Sequence, residues 1–312
     1  MVVQLADIAL ARYRLSRYLE PTPLEAAPSL GENVWLKLEN TNKTHSFKIR
    51  GALNAMLNLS DADRARGVIT ASSGNHAQGI ACAASLLGVR ASVLMPSHTP
   101  KRKVNGVRRY GAEAVLFGAT YDETEAEARR RERDEGLTFI SPYNDPYVVA
   151  GAGTTGLEIL EALPDVERVL VPVGGGGLIS GIAIAVKSLR PSVEVIAVSA
   201  ESAPAPYNWL NGTNLPQVWD TLAEALSGEI EQGSITLELM KRCVDRAVLI
   251  SEQAVADAMR WMVDEQGWMI EGGSAVGIAA LQTGTVVADG KPTAVVVSGG
   301  NVDGETLRQV LG

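Results

Sequence analysis

The sequence predicts an α/β fold of two lobes, each a mostly parallel twisted sheet flanked by helices. Three observations carry this expectation. Short β-branched runs alternate with helix-length runs along most of the chain, which is the sequence mark of βαβ units. The 312 residues are more than a single core usually fills. A turn-rich break, Pro142-Tyr143-Asn144-Asp145-Pro146, separates two such runs and is the best hinge candidate.

The elements follow in order. A strand over residues 34–38 leads to a helix pattern that Lys48 opens and that runs through Leu57. Residues 68–70 precede a helix over 74–87, residues 91–95 precede one starting near Pro100, and residues 114–117 precede the charged helix 122–135. Residues 169–173 lead into a helix over 178–189, and a strand over 193–198 follows it. A helix over 275–281 precedes a last strand over 294–297. Crossovers should be right-handed. Residues 203–217, broken by Pro204, Pro206 and Pro216, read as an irregular loop. Two sheets flanking a cleft would place a small-molecule ligand between the lobes.

With 46% hydrophobic and 21% charged residues, the chain is neither disordered nor fibrous. A net charge of −8 argues against a broad nucleic-acid surface. The two cysteines, Cys82 and Cys243, suggest neither a disulfide framework nor a zinc site. They read as two buried thiols in a reducing compartment. No basic leader precedes an apolar run at the N-terminus, and no stretch approaches a membrane span, so the cytoplasm is expected. His45, His76 and His98 lie in different segments without a carboxylate cluster, so no metal is expected. The run Arg129 to Arg133 reads as a solvated helix face. Trp261 and Trp268, with Met262 and Met269 beside them, read as core.

Three segments carry chemistry. Gly174, Gly175, Gly176 and Gly177 stand between a strand and the helix begun by Leu178. Such glycines let the backbone turn tightly and aim successive N–H groups at an anion, with the helix dipole behind them. The run is neither a dinucleotide fingerprint, since Ile179 stands at the last glycine position, nor a nucleotide P-loop, since no Gly-Lys-Ser/Thr follows. A merely structural turn would carry four glycines at a cost of about 1 kcal/mol each, so a phosphate cup is the better reading. Lys48 opens a helix, where the dipole disfavours a cation; that mismatch lowers a lysine pKa, as a Schiff-base lysine needs. Taken alone, it would be one more surface lysine. Ser72, Ser73, Gly74, Asn75 and His76 form a strand-to-helix turn that serves as a helix cap, a carboxylate site, or both. Together with Ser298-Gly299-Gly300-Asn301, these are the parts needed to hold pyridoxal 5'-phosphate as an imine on Lys48.

On these residues the chain resembles the threonine/serine dehydratase–serine racemase family of fold type II (tryptophan-synthase-β-like) pyridoxal-phosphate enzymes. The resemblance covers nearly the whole chain. It runs through Leu38-Glu39-Asn40, Thr44 to Ala52, Ser72 to His76, Gly151-Ala152-Gly153-Thr154, the glycine cup and the Ser298 motif, with Ala152 where the family commonly has Gln. It implies that Lys48 holds the cofactor and acts as base at Cα. Phe47 would pack on the ring, Asn75 would bond its 3′-oxygen, and Ser298 would face its nitrogen. Gly174 to Gly177 and Leu178 would hold the phosphate. Ser72, Ser73, Gly74, Asn75 and His76 would bind the substrate carboxylate. Ser73 stands at the position of the racemases' opposite-face acid/base. Residues 1–50 and 145–312 would form the large cofactor domain, and 51–144 a small mobile domain. A homodimer is implied.

Two departures matter. The metal-activated racemases carry acidic ligands where this chain has Ser199 to Ala205 with Glu201 as its one carboxylate, which argues against a divalent-metal site. The chain also stops soon after Ser298, so isoleucine feedback is not expected. The resemblance implies a dehydratase (ammonia-lyase) in amino-acid catabolism that converts a 3-hydroxy amino acid to a 2-oxo acid and ammonia. A racemase using the same residues, or a pyridoxal-binding sensor without catalysis, are the rivals. Threonine, serine, 3-hydroxyaspartate and bulkier compounds such as those of hydroxyectoine breakdown all remain open as substrates.

Overall fold

The computed structural model describes residues 3–312. Ten strands and thirteen α-helices are assigned among them. The strands are β1 (Leu24–Ala26), β2 (Val34–Leu38), β3 (Val68–Ala71), β4 (Ala91–Met95), β5 (Glu113–Leu116), β6 (Thr138–Phe139), β7 (Arg168–Pro172), β8 (Glu194–Ala200), β9 (Arg246–Ile250) and β10 (Thr293–Val297). The helices that matter for the site are the first, second, fourth, sixth to tenth and twelfth in chain order. They are α1 (Leu5–Leu15), α2 (Lys48–Leu57), α4 (Asn75–Leu87), α6 (Tyr121–Glu135), α7 (Pro146–Ala162), α8 (Gly177–Leu189), α9 (Ala205–Asn211), α10 (Ile235–Cys243) and α12 (Gly272–Gln282).

The strands form two sheets. One has the order β1-β2-β10-β7-β8-β9 and the other β5-β4-β3-β6. Every pairing is parallel except β1 with β2. The central strands β7 and β10 are buried along their whole length, which explains their unbroken apolar runs. Separate apolar clusters fill the two sides of the larger sheet, one around Leu36, Ile196 and Met262, the other around Val171, Ile182 and Val296. A further cluster, including Ile49, Ile80 and Val93, packs beneath the smaller sheet.

Helix α7 begins where the chain crosses between the sheets. Asp145 caps it by accepting from the N–H groups of Tyr147 at 2.7 Å and Val148 at 3.0 Å, with Pro146 behind it. That is a strong start signal, because Pro has no N–H to leave unpaired. The Gly151 to Thr154 motif lies inside this helix, with Gly151 packed against α2 and Gly153 against α8 and α1. A buried charge cluster locks the two helices to β2. Arg50 Nε meets Glu39 at 2.7 Å, Arg50 Nη1 meets Glu158 at 2.6 Å, and Lys37 Nζ meets Glu158 at 2.6 Å. All four side chains are at most 2% exposed, so each charge depends on its partners for the hydration it has lost.

Three expectations are corrected. The segment after β8 is not wholly irregular: Ala205–Asn211 is a helix, because Pro206 falls in its first turn, where a missing N–H costs nothing. Met269 is not core: it is 60% exposed, whereas Met262 is fully buried. The two are separated by the end of the eleventh helix, which stops at Gly267 in the left-handed conformation and breaks the apolar period. The Arg129 to Arg133 face is only partly solvated. Arg130 and Arg131 both pair with Glu127 at 2.8 Å, and the Arg129 guanidinium stacks 3.6 Å from the Phe139 ring centroid.

Candidate active site

The site is assembled where β10 ends. Ser46 forms a bridge pair with Gly299, Phe47 N–H donates to the Ser298 carbonyl at 3.0 Å, and Gly300 N–H donates to the His45 carbonyl at 2.9 Å. The segment before α2 is thus stitched onto the end of the last strand. His45 has φ 54, a left-handed conformation costly for a side chain with a Cβ.

Lys48 follows as the first residue of α2. Its Nζ donates to the Pro142 carbonyl at 2.8 Å and lies 5.1 Å from the Phe47 ring centroid. Among the described residues, no carboxylate pairs with it. Loss of hydration pushes its pKa down to about 8, against a partial opposing pull from Glu271. A substantial neutral fraction near physiological pH makes this amine a competent nucleophile and base.

The glycine turn lies between β7 and α8. Gly176 caps the helix with φ 82, which only glycine adopts freely. At Gly175 a Cβ would come within 2.4 Å of the Tyr143 ring, so the turn and the residue after Pro142 are in van der Waals contact. Thr236 at the start of α10 donates to the Gly175 carbonyl at 2.8 Å. Among the described residues, the N–H groups of Gly175, Gly176, Gly177 and Leu178 have no protein acceptor. A row of free donors on a helix dipole is an anion site.

The loop at Ser72 to His76 opens α4, but its cap differs from the expected serine. Gly74 occupies the cap position with no side-chain hydrogen bond. Among the described residues Ser72 Oγ accepts only from Gly74 N–H, at 3.3 Å, so the first-turn donors of α4 stay free for an anion. Ser73 makes no hydrogen bond with another described residue. His76 is 2% exposed; burial first, and then the Lys48 charge, push its pKa down to about 3. The ring is therefore neutral. Its Nε2 lies 3.1 Å from the Ile140 carbonyl and carries the proton, while buried Nδ1 has no partner.

Asn75 is held from both ends. Its Nδ2 donates to the two Glu271 oxygens at 2.7 and 3.0 Å, and its Oδ1 accepts from Asn301 Nδ2 at 2.8 Å. Burial raises the Glu271 pKa, while Asn75 and Lys48 oppose the rise. Ser298 is 5% exposed and shares a 2.9 Å hydrogen bond with Ser274 Oγ.

The structure thus joins Phe47, Lys48 and Ser298 directly. Gly174 to Leu178 reach Lys48 through Pro142 and Tyr143. Asn75 connects through Glu271 and Asn301, whereas Ser72 and Ser73 form no hydrogen bond with Lys48. Glu271 and Ser274 escaped sequence reasoning. Glu271-Gly272-Gly273-Ser274 reads only as a helix start, and its carboxylate beside paired glycines was the sole available signal. At the position considered for metal ligation, Ser199 Oγ donates to the Val173 carbonyl at 2.9 Å and Glu201 is exposed.

An aldehyde bearing a phosphate fits this donor set. The amine is desolvated, the N–H row is free, and a buried neutral hydroxyl waits at the end of β10. The comparisons agree. The family model described as "Pyridoxal-phosphate dependent enzyme" matches residues 15–299. An L-threonine ammonia-lyase of Thermotoga maritima is 42% identical, the match covering 99% of this chain and 78% of that protein. Maize serine racemase superposes with a TM-score of 0.92 at 32% identity, over 99% of this chain and 97% of that one. The processed threonine deaminase isoform 2 of Solanum lycopersicum gives 0.90 at 33% identity, over 98% and 92%. The chain therefore belongs to the pyridoxal-phosphate dependent enzymes of fold type II, in the family of threonine/serine dehydratases and serine racemases.

Proposed function

We propose that this enzyme is an ammonia-lyase that removes water from L-threonine or L-serine and releases the 2-oxo acid and ammonia. The observation that carries the reading is the half-buried Lys48 amine, held by the Pro142 carbonyl at 2.8 Å and without a carboxylate partner among the described residues. The names of two relatives, an L-threonine ammonia-lyase and a threonine deaminase, support the substrate. When bound, pyridoxal phosphate supplies a carbonyl that condenses with amines and a ring that accepts electron density from Cα. Lys48 would be the residue that carries the cofactor and takes the Cα proton of the substrate. The free N–H groups from Gly175 to Leu178 would hold the phosphate, and Phe47 would pack on the ring. Asn75, its amide plane fixed by Glu271 and Asn301, would address the ring oxygen. The open first turn of α4, with Ser72, Ser73, Gly74, Asn75 and His76, takes the substrate carboxylate. The Ser298 hydroxyl would face the ring nitrogen; being neutral, it would leave the ring a modest electron sink, which suits prompt loss of the β-hydroxyl.

Racemisation is the second reading. Ser73 supports it, since its hydroxyl lacks a protein partner at the mouth of α4 and is free to return a proton. The division into residues 1–50 plus 145–312 and a mobile 51–144 is supported by the separate four-stranded sheet, whose strands lie between Val68 and Phe139. A cytoplasmic setting is supported by two unbridged cysteines. Exposed Leu10 and Tyr13 on α1 support a homodimer.

A substrate panel tests the function. L-threonine, L-serine and 3-hydroxyaspartate are incubated with the holoenzyme while 2-oxo acid and ammonia are measured. Equal molar release from L-threonine or L-serine is expected. Release from 3-hydroxyaspartate alone, or from none, contradicts the proposal.

A further inference from the structure

We infer that Ser274 is a positioning residue that donates its proton to Ser298 Oγ and thereby commits the Ser298 proton to the cofactor ring nitrogen. This rests on the proposed placement of Ser298 against that nitrogen. Ser274 is fully buried and Ser298 is 5% exposed, so solvent does not complete their hydrogen bonds. Ser274 Oγ accepts from Gly299 N–H at 2.7 Å and lies 2.9 Å from Ser298 Oγ. Among the described residues neither hydroxyl has another protein partner.

The direction of the shared bond follows from counting protons. A hydroxyl has one proton and two lone pairs. Suppose Ser298 donated to Ser274. Ser274 would then accept twice, and its own buried proton would have no acceptor, an unmade hydrogen bond costing about 1–3 kcal/mol. Ser298 would present only lone pairs to the ring nitrogen, which would have to be protonated to bond them. A pyridinium there would need a nearby anion. Glu271, whose Oε1 comes close to Gly299, is already bonded to Asn75. In the opposite direction every group is satisfied: Gly299 N–H to Ser274, Ser274 O–H to Ser298, and Ser298 O–H to an unprotonated nitrogen. Each donation polarises the next. Ser274 thus makes the neutral-ring arrangement the one the fold selects.

The test is the ¹⁵N resonance of holoenzyme reconstituted with ring-¹⁵N pyridoxal phosphate. Loss of a hydrogen bond moves a pyridine nitrogen downfield. Ser298→Ala should move it furthest. Ser274→Ala should move it the same way by a smaller amount, and Ser274→Thr, which restores the hydroxyl, should return it toward wild type. If Ser274→Ala does not fold, Ser274→Cys, similar in size and a weak donor, should give the downfield shift. A wild-type resonance in the Ala or Cys variant, with Ser298→Ala still shifted, overturns the role of Ser274 and leaves that of Ser298 standing. An unmoved resonance in Ser298→Ala overturns both. An upfield, pyridinium-like resonance in the wild type also overturns the inference.

Discussion

The backbone N–H of Phe47 donates to the carbonyl of Ser298 at 3.0 Å. This bond joins the segment that presents the amine to the strand end that presents the hydroxyl. The positions of Lys48 and Ser298 are therefore set by backbone geometry, which side-chain substitution at either residue leaves in place.

Replacing Lys48 should accordingly remove chemistry without removing the fold. Lys48→Ala should lose the borohydride-reducible cofactor adduct, and turnover should fall at least ~10³-fold, since base and covalent roles go together. Peptide mapping after reduction checks this. An adduct that persists in the variant places the cofactor on another lysine.

Capture of the cofactor by apoenzyme should follow the Lys48 amine. Its pKa is depressed to about 8 by burial, and only the neutral form attacks a carbonyl. The capture rate should rise with pH, reach half its plateau near pH 8 and level off above. Stopped-flow absorbance across pH 6.5 to 10.5 measures it. A rate still climbing steeply between pH 9 and 10.5 would indicate an ordinary, hydrated lysine.

Glu271→Gln should uncouple Asn75. A carboxylate accepts on both oxygens, whereas a glutamine amide offers one acceptor and turns its own N–H donors toward the Asn75 amide N–H groups. The apoenzyme should lose about 1–3 kcal/mol of stability, and the cofactor dissociation constant should rise roughly tenfold, about 1.4 kcal/mol. Denaturant titration and equilibrium dialysis report the two separately. Unchanged cofactor affinity argues that Glu271 does not position Asn75 for binding.

Much of this site was legible in sequence because its key residues lie at strand-to-helix junctions. The glycine cup between β7 and α8 and Lys48 at the start of α2 stand out as local violations, four glycines in a row and a cation on a helix N-terminus. Their physical reason is local, so a sequence displays it. Glu271 and Ser274 act through Asn75 and Ser298, distant in sequence, and no local pattern announces such partnerships. The same holds for Lys37, Glu39, Arg50 and Glu158: each looks like an ordinary charged residue until the chain brings two cations and two anions together. Met269 was misread because its apolar period crosses the helix end at Gly267.

Breaking that buried cluster should be costly. Arg50→Met leaves Glu39 and Glu158 with fewer partners in the interior. Loss of one member of a buried pair costs roughly 3–5 kcal/mol, so the urea midpoint should drop sharply. Because Arg50 stands on the same helix as Lys48, cofactor retention should suffer as well. A midpoint within experimental error of wild type would show that the cluster relaxes or hydrates.

The most direct measurement is the product ratio from L-serine. Pyruvate and ammonia are quantified while chiral chromatography follows the remaining serine, for the wild type and Ser73→Ala. Elimination from one enantiomer needs only the Lys48 base, while racemisation needs a second acid on the opposite face. Pyruvate and ammonia should form in equal amounts and exceed D-serine, and Ser73→Ala should abolish D-serine while sparing much of the pyruvate. Far more D-serine than pyruvate from the wild type would contradict the lyase assignment and make the enzyme a racemase.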